Sequence, residues 1–114
     1  MEAFIDKRPW GWERWFVSGK PVTVKILHID PNARISLQKH NKYRIELWRI
    51  LSGRAKVTLG QNIKELGPGE EVEVEFGMIH RLEAFDEPVE VLEIISGDFD
   101  EKDIIHIDDD YGRT

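Results

Sequence analysis

The segment Gln38–Glu46 reads QKHNKYRIE, and one further histidine, His80, lies well downstream of it. Imidazole nitrogens and carboxylate oxygens are the protein ligands that divalent ions such as zinc prefer. His40 and Glu46 supply one of each, His80 supplies a second imidazole, and Gln38 could add a weaker oxygen ligand. The sequence therefore predicts a site for one divalent metal ion, and this ligand set suits zinc, manganese, iron, cobalt and nickel alike.

The residues around this segment alternate in the way that β-strands do. Counted from Arg44, every second residue (Arg44, Glu46, Trp48 and Ile50) would share one face of a strand. The cleanest alternation is Glu71–Phe76, with apolar residues on one face and carboxylates on the other. No useful window has helical periodicity. The pattern predicts an all-β sandwich or closed barrel, with strands at 14–17, 22–29, 34–38, 44–51, 56–59, 71–76, 81–85 and 89–95.

Length and composition narrow the class of protein. The 114 residues are enough for one core and too few for two, so residues 1–114 are expected to form one domain. The absence of cysteine excludes disulfides and thiolate ligands. A net charge of −6 argues against nucleic-acid binding, since phosphate contacts need a basic face. No signal peptide or membrane-spanning apolar run is apparent, so no membrane association and a cytoplasmic location are expected.

Two motifs in the chain resemble those of the cupin proteins. The first, G-x5-H-x-H-x3–4-E-x6-G, is matched at His40, Glu46 and Gly53, and the second, G-x5-P-x-G-x2-H-x3-N, is matched at its glycines and at His80. The departures from the motifs include Lys42 for the second histidine, Glu75 for the proline and Ala84 for the asparagine. The resemblance implies a cupin-type double-stranded β-helix, which is a jelly-roll barrel.

A closer resemblance rests on five ordered blocks: RPWG at 8–11, SLQKH at 36–40 followed by ELW at 46–48, SGRAKVT at 52–58, HRLE at 80–83 and DDYGR at 109–113. They resemble the type II phosphomannose isomerase (mannose-6-phosphate isomerase) domain, which is similar to the C-terminal domain of bifunctional mannose-1-phosphate guanylyltransferases. The resemblance implies interconversion of mannose 6-phosphate and fructose 6-phosphate with a divalent metal ion, and so a phosphorylated sugar as substrate. No guanylyltransferase activity is expected, because the nucleotide-binding half of those enzymes has no counterpart here.

Several residues receive roles in this hypothesis. Arg44 would lie on the same strand face as Glu46 and so point into the pocket, where its guanidinium could bind the sugar phosphate through two hydrogen bonds. An ion pair with Glu46 in a metal-free barrel is a competing interpretation. Arg34 is a second candidate for substrate binding, and Trp48 is expected to line the pocket. Arg113, in the DDYGR block, is carried over as a catalytic residue if the tail folds over the barrel mouth.

The role of Lys42 depends on its charge and orientation, and it distinguishes between the possible functions. As an ammonium beside the metal it would weaken metal binding, whereas as a neutral amine it could be the general base. It could also point into solvent from its loop. Two rivals to the isomerase remain: a non-catalytic sugar- or ligand-binding cupin in which Lys42 marks a lost metal ligand, and another metal cupin such as an iron oxygenase.

The remaining histidines and large aromatic residues lead to weaker expectations. His28 and His106 are isolated and are interpreted as structural. Arg81 points away from His80 by alternation, which favours a surface or interface position. Trp10 and Trp12 lie in an N-terminal segment that would bury them most readily against a second subunit, so a homodimer is expected.

Overall fold

The computed structural model describes residues 4–18 and 21–114. These residues form β-strands that we number in chain order: β1 Phe4–Arg8, β2 Gly11–Val17, β3 Val22–Ile29, β4 Leu37–Lys39, β5 Arg44–Ser52, β6 Ala55–Leu59, β7 Asn62–Leu66, β8 Glu71–Val74, β9 His80–Ala84, β10 Val89–Gly97 and β11 Ile105–Asp108. No helix occurs among them, which confirms the all-β class. The described residues accordingly contain no helical segment that could span a membrane.

The strands pair in antiparallel fashion and build two sheets. The larger sheet has the order β1-β2-β3-β10-β5-β8, and the smaller has the order β11-β4-β9-β6-β7. From β3 to β11 every connection crosses from one sheet to the other except the β6–β7 hairpin. This winding is that of the expected jelly-roll barrel, and it brings side chains from distant parts of the chain together between the sheets.

The interior follows the predicted alternation. Every second residue of β3 and β10 is buried, and on β5 the residues Arg44, Glu46, Trp48 and Ile50 are all buried. The apolar core includes Trp10, Leu27, Ile29, Trp48, Ile50, Val57, Leu82, Val89 and Val91. Charged side chains are buried beside it, which is rare in proteins unless such groups are paired.

Three strands, β1, β7 and β11, were not predicted. Each lies at the edge of its sheet and is exposed at most positions, so buried apolar residues do not alternate with exposed polar ones along it. The strand predicted at 34–38 is instead β4, and Arg34 makes only an isolated bridge to Glu83. Edge strands are held by backbone pairing on one side, and side-chain patterning reports that pairing poorly.

Gly53, in the turn between β5 and β6, has a φ of +76°, and a Cβ there would lie 2.3 Å from the carbonyl oxygen of Pro88. Gly60 has a φ of +60° but open space around it. Since both positions disfavour alanine through φ alone, we expect Gly60→Ala to lower the free energy of unfolding by about 1–2 kcal/mol. Gly53→Ala should cost roughly 2–5 kcal/mol, because overlap with backbone adds to that strain. Urea denaturation measures both losses, and equal values would contradict the steric explanation.

The N-terminal tryptophans pack within their own chain. Trp10 is 5% exposed and belongs to the core, and the ring of Trp12 stacks on that of His28 with centroids 4.8 Å apart. Trp10 therefore needs no second subunit for its burial. The homodimer stays a prediction without this support.

Candidate metal centre

Three side chains from the two sheets meet inside the barrel. Glu46 lies on β5, His80 begins β9, and His40 directly follows β4. The Nε2 atoms of His40 and His80 are 3.2 Å apart, and they lie 3.4 and 3.6 Å, respectively, from Oε2 of Glu46. All three residues are buried, and their ligand atoms lie within 4.8 Å of one another. We call this group the His–Glu–His triad.

Backbone carbonyls orient both imidazoles. Nδ1 of His40 lies 2.6 Å from the carbonyl oxygen of Asp103, and Nδ1 of His80 lies 2.9 Å from that of Met78. Since a carbonyl oxygen only accepts, each Nδ1 carries a proton, and in the neutral rings each Nε2 presents its lone pair to the centre of the triad. Burial lowers the pKa of His80, which favours the neutral ring. Metal-binding histidines are commonly held in this way, and lone pairs that face one another favour a cation between them.

Glu46 completes the donor set as a buried carboxylate. Burial alone would raise the pKa of Glu46, but the hydrogen bond with Glu93 and the charge of Arg44 outweigh that effect and hold the pKa well below its ordinary value. Its Oε1 atom is buried and receives no N–H donor from the described residues. Because such an oxygen is costly to bury alone, it needs either a metal ion or the protonated carboxyl of Glu93. The donor set and this oxygen fit one divalent ion.

A guanidinium also reaches the triad. Arg44 is 7% exposed, and its Nη2 atom lies 2.7 Å from Nε2 of His40 and 3.0 Å from Oε2 of Glu46. Arginine can only donate, so Nε2 of His40 must be an acceptor, in agreement with the tautomer assigned above. The ion pair with Glu46, which the sequence left as a competing interpretation, is the arrangement in this structure.

A row of paired side chains crosses the larger sheet beside the triad. Trp15, Lys25, Glu93 and Trp48 are neighbours in this order across β2, β3, β10 and β5. Nζ of Lys25 lies 3.4 Å from Oε1 of Glu93 and 2.9 Å from Oε2 of Glu13. Nε1 of Trp48 donates to Oε2 of Glu93 over 2.9 Å. Burial lowers the pKa of Lys25, but the two carboxyls outweigh burial and raise it, so the amine stays charged.

The carboxyl groups of Glu93 in this row and Glu46 in the triad differ in acidity. Burial raises the pKa of Glu93 to about 8 in spite of the Lys25 charge, whereas the pKa of Glu46 is held well below its ordinary value. Neighbouring carboxyls with pKa values pushed apart are typical of acid–base sites. Near neutral pH, Glu93 can both accept and release a proton.

Lys25 and Glu93 were missed in the sequence, although a signal for them exists. Each is the charged member of an inward-facing set, and the two sets are Thr23, Lys25, Leu27, Ile29 on β3 and Val89, Val91, Glu93, Ile95 on β10. A charge on an otherwise apolar strand face predicts a buried ion pair. The partner could not be named, because the neighbouring strand comes from a distant part of the chain.

His40 and His80 of the triad, together with Lys25, Glu93 and Trp48 of the row, line a cavity of about 120 Å³. Part of its wall is residues 98–104, between β10 and β11, which we call the strap. Glu101 pairs with Arg8 over 2.6 Å, and Asp100 pairs with Lys42 over 2.9 Å. The carboxylate of Asp103 accepts hydrogen bonds from the backbone N–H groups of residues 41 and 42. The strap is thus tied to the barrel by a few mostly exposed contacts.

Among the remaining candidates, Gln38 and Trp48 lie at the cavity and Lys42 lies at the surface. Gln38 lines the cavity, and its side-chain nitrogen donates to Oγ of Ser36 over 3.2 Å. Trp48 lines the same cavity, with its ring centroid 5.4 Å from that of His80. Lys42 is exposed, and its hydrogen bond with Asp100 raises its pKa. Lys42 therefore takes the solvent-facing orientation, which corrects its assignment as a catalytic base.

Arg113, expected to be catalytic, and Arg34, expected to bind the substrate, lie in different places. Arg113 lines the cavity, so the C-terminal tail does fold against the barrel, and its guanidinium binds Asp109 over 2.7 and 2.9 Å. Arg34 binds Asp110 over 2.7 and 2.8 Å and does not belong to the cavity wall among the described residues. The expectation that Arg34 faces the substrate is therefore corrected, because a carboxylate of the tail holds it outside.

The predicted positions of Arg81, His28 and His106 agree with the structure to different degrees. Arg81 is 6% exposed and donates to the carbonyl oxygen of Ile35, so its expected surface position is wrong. Nδ1 of His28 lies 2.8 Å from Oε2 of Glu90. This pair lies away from the triad and has a structural role. His106, also interpreted as structural, lines the cavity.

Comparisons with known proteins identify the family of this chain. The family described as "Mannose-6-phosphate isomerase C-terminal" matches residues 3–109. Similar proteins include the xanthan biosynthesis protein XanB of Xanthomonas campestris pv. campestris, 37% identical over 109 residues, and the mannose-1-phosphate guanylyltransferase ManC of Salmonella typhimurium, 33% identical over 109 residues. The matches cover 94% of this chain but only 23% and 22% of those relatives, so the chain spans less than a quarter of their length.

Solved structures show the fold. Oxalate decarboxylase from Bacillus subtilis superimposes with a TM-score of 0.82 at 19% identity, over 93% of this chain and 30% of that one. The cupin-2 domain protein Rru_A2000 from Rhodospirillum rubrum gives a TM-score of 0.73 at 18% identity, over 88% and 72% of the two chains. The predicted cupin fold is thereby confirmed, and the chain belongs to the mannose-6-phosphate isomerase C-terminal family.

Proposed function

We propose that the protein is a metal-dependent isomerase that interconverts mannose 6-phosphate and fructose 6-phosphate. The observation that carries the proposal is the His–Glu–His triad, in which two imidazole lone pairs and a carboxylate face one point. His40, Glu46 and His80 would hold the ion, with Gln38 as a fourth candidate. A divalent ion there would polarise the substrate carbonyl and hold the negative charge that develops on its oxygen. Family membership supports the sugar phosphate as substrate.

Isomerisation also needs a group that moves a proton between two neighbouring carbons. Glu93 takes this role in our proposal, because it lines the cavity beside the triad and is held by Lys25 and Trp48. It removes the proton from C2 of mannose 6-phosphate and returns it to C1, while the hydroxyl proton of O2 passes to O1. A carboxyl with a pKa of about 8 suits both steps, since general acid–base catalysis is most effective when the pKa lies near the working pH.

Entry of the substrate requires the strap to move. The cavity of about 120 Å³ is smaller than ordinary ligand pockets, which span roughly 300–1,000 Å³. The strap's salt bridges to Arg8 and Lys42 involve exposed carboxylates, and exposed pairs contribute little stability. Opening the strap would also uncover Arg44, the proposed partner of the sugar phosphate, and Arg113, the catalytic residue that the family resemblance implies.

A coupled assay tests the proposal. Fructose 6-phosphate formed from mannose 6-phosphate is measured with protein loaded with each divalent metal, with and without a chelator. We expect turnover that depends on the metal and is lost on chelation. No turnover with any metal would contradict the isomerase, and oxygen uptake by the iron-loaded protein would favour an oxygenase.

A non-catalytic sugar-binding cupin is the second candidate. It is favoured by the contacts of Arg44, which already bonds two of the triad's ligand atoms. Such a protein would bind mannose 6-phosphate without metal and without turnover. Calorimetric titration of metal-free protein with the sugar phosphate separates this candidate from the isomerase.

A further inference from the structure

The contact between Arg44 and His40 has a direct consequence for metal binding. Nε2 of an imidazole has a single lone pair, and in this structure it accepts a hydrogen bond from Nη2 of Arg44 over 2.7 Å. That lone pair cannot bind a metal ion at the same time. The same guanidinium also donates to Oε2 of Glu46 from two of its nitrogens, over 3.0 and 3.2 Å.

We propose that a metal ion and the Arg44 guanidinium exchange at His40 and Glu46, so that Arg44 sets the metal affinity of the triad. This inference rests on the metal site of the proposed function. Arg44 balances the charge of Glu46 where both are buried, and an arriving divalent ion takes over that role. Two cations at one carboxylate oxygen repel each other strongly in a buried site, so the guanidinium leaves.

The guanidinium already has a second contact within the cavity, apart from the triad. Cζ of Arg44 lies 5.5 Å from the ring centroid of Phe99, a strap residue, which is within the range of cation–π attraction. Both residues line the cavity. A guanidinium that leaves the triad therefore remains beside the substrate cavity with its donors free for an anionic oxygen group.

Zinc titration of metal-free protein by calorimetry tests the exchange. Arg44→Met removes the competing cation while keeping a long apolar side chain. Arg49→Met is the matched control, because Arg49 lies on the outward face of the same strand in an exposed pair with Glu71. We expect Arg44→Met to bind zinc about tenfold more tightly or better than the parent protein, since charge-assisted hydrogen bonds no longer compete, and Arg49→Met to bind like the parent. Equal or weaker binding by Arg44→Met would overturn the exchange.

A second measurement does not depend on the folding of Arg44→Met. Crystal structures of the parent protein with and without zinc are expected to show the Arg44–His40 hydrogen bond only in the metal-free form. If the bond persists beside bound zinc, the exchange is wrong. Failure of the parent protein to bind zinc or any other divalent ion would remove the metal site and the proposed function together, whereas zinc binding with no gain in Arg44→Met would remove only the role of Arg44.

Discussion

Glu46→Gln is expected to abolish retention of the metal ion while leaving the fold intact. Glutamine has nearly the shape of glutamate but no charge, so the triad keeps two neutral imidazoles and one weak oxygen ligand. We expect the metal content after gel filtration, measured by elemental analysis, to fall from stoichiometric to background. Isomerase activity should fall with it.

Glu73→Gln is the control for this variant. Glu73 is exposed on β8, the strand next to β5, so its charge has no bearing on the triad. Its metal content and activity should match those of the parent protein, and circular dichroism should show the same β-structure in both variants. Unchanged metal content in Glu46→Gln would place the metal site elsewhere in the chain.

Glu93→Gln is expected to lower kcat by roughly 10²–10⁴-fold, the usual contribution of a general acid–base group. The amide oxygen can still accept the hydrogen bond from Trp48, but the group cannot carry a proton between carbons. Metal content should stay stoichiometric, which separates this variant from Glu46→Gln. Glu90→Gln, on the outward face of the same strand beside His28, should keep full activity. Full activity of Glu93→Gln would exclude Glu93 as the proton carrier.

The stability of the metal-free protein provides a second measurement on Glu93. Its pKa is raised from an ordinary 4.5 to about 8, so between these values the folded protein holds a proton that the unfolded chain has released. The resulting stabilisation is fully present below pH 4.5 and is lost as the pH rises through about 8. In Glu93→Gln the decline of unfolding free energy over this interval should become shallower. An identical decline in both proteins would contradict the raised pKa.

The fold could be predicted because strand alternation is local. The inward parity of Glu46, Trp48 and Ile50 can be counted along the sequence without knowledge of any partner strand, and it holds in the structure. The exposed edge strand β7 has no such alternation, and its position depends on backbone pairing with β6. Patterning therefore predicted the strands of the barrel interior and missed three of those at its edges.

The candidate site could be predicted only in part. His40, Glu46 and His80 were named together, and the structure brings them together. The register that sets Lys25 beside Glu93 joins strands more than sixty residues apart and has no local signal in the sequence. Without that register, neither the ion pair nor the raised pKa of Glu93 could be predicted.

The sequence by itself determined the all-β architecture and the chemical types of the ligands, since alternation and side-chain identity are properties of the chain read in order. Tertiary structure alone decided the partner of each charge: Arg34 is held by Asp110, Lys42 by Asp100, and Arg44 by the triad. The physical reason is that hydrogen bonds and ion pairs act over about 3 Å, and the jelly-roll winding decides which distant side chains come within that distance.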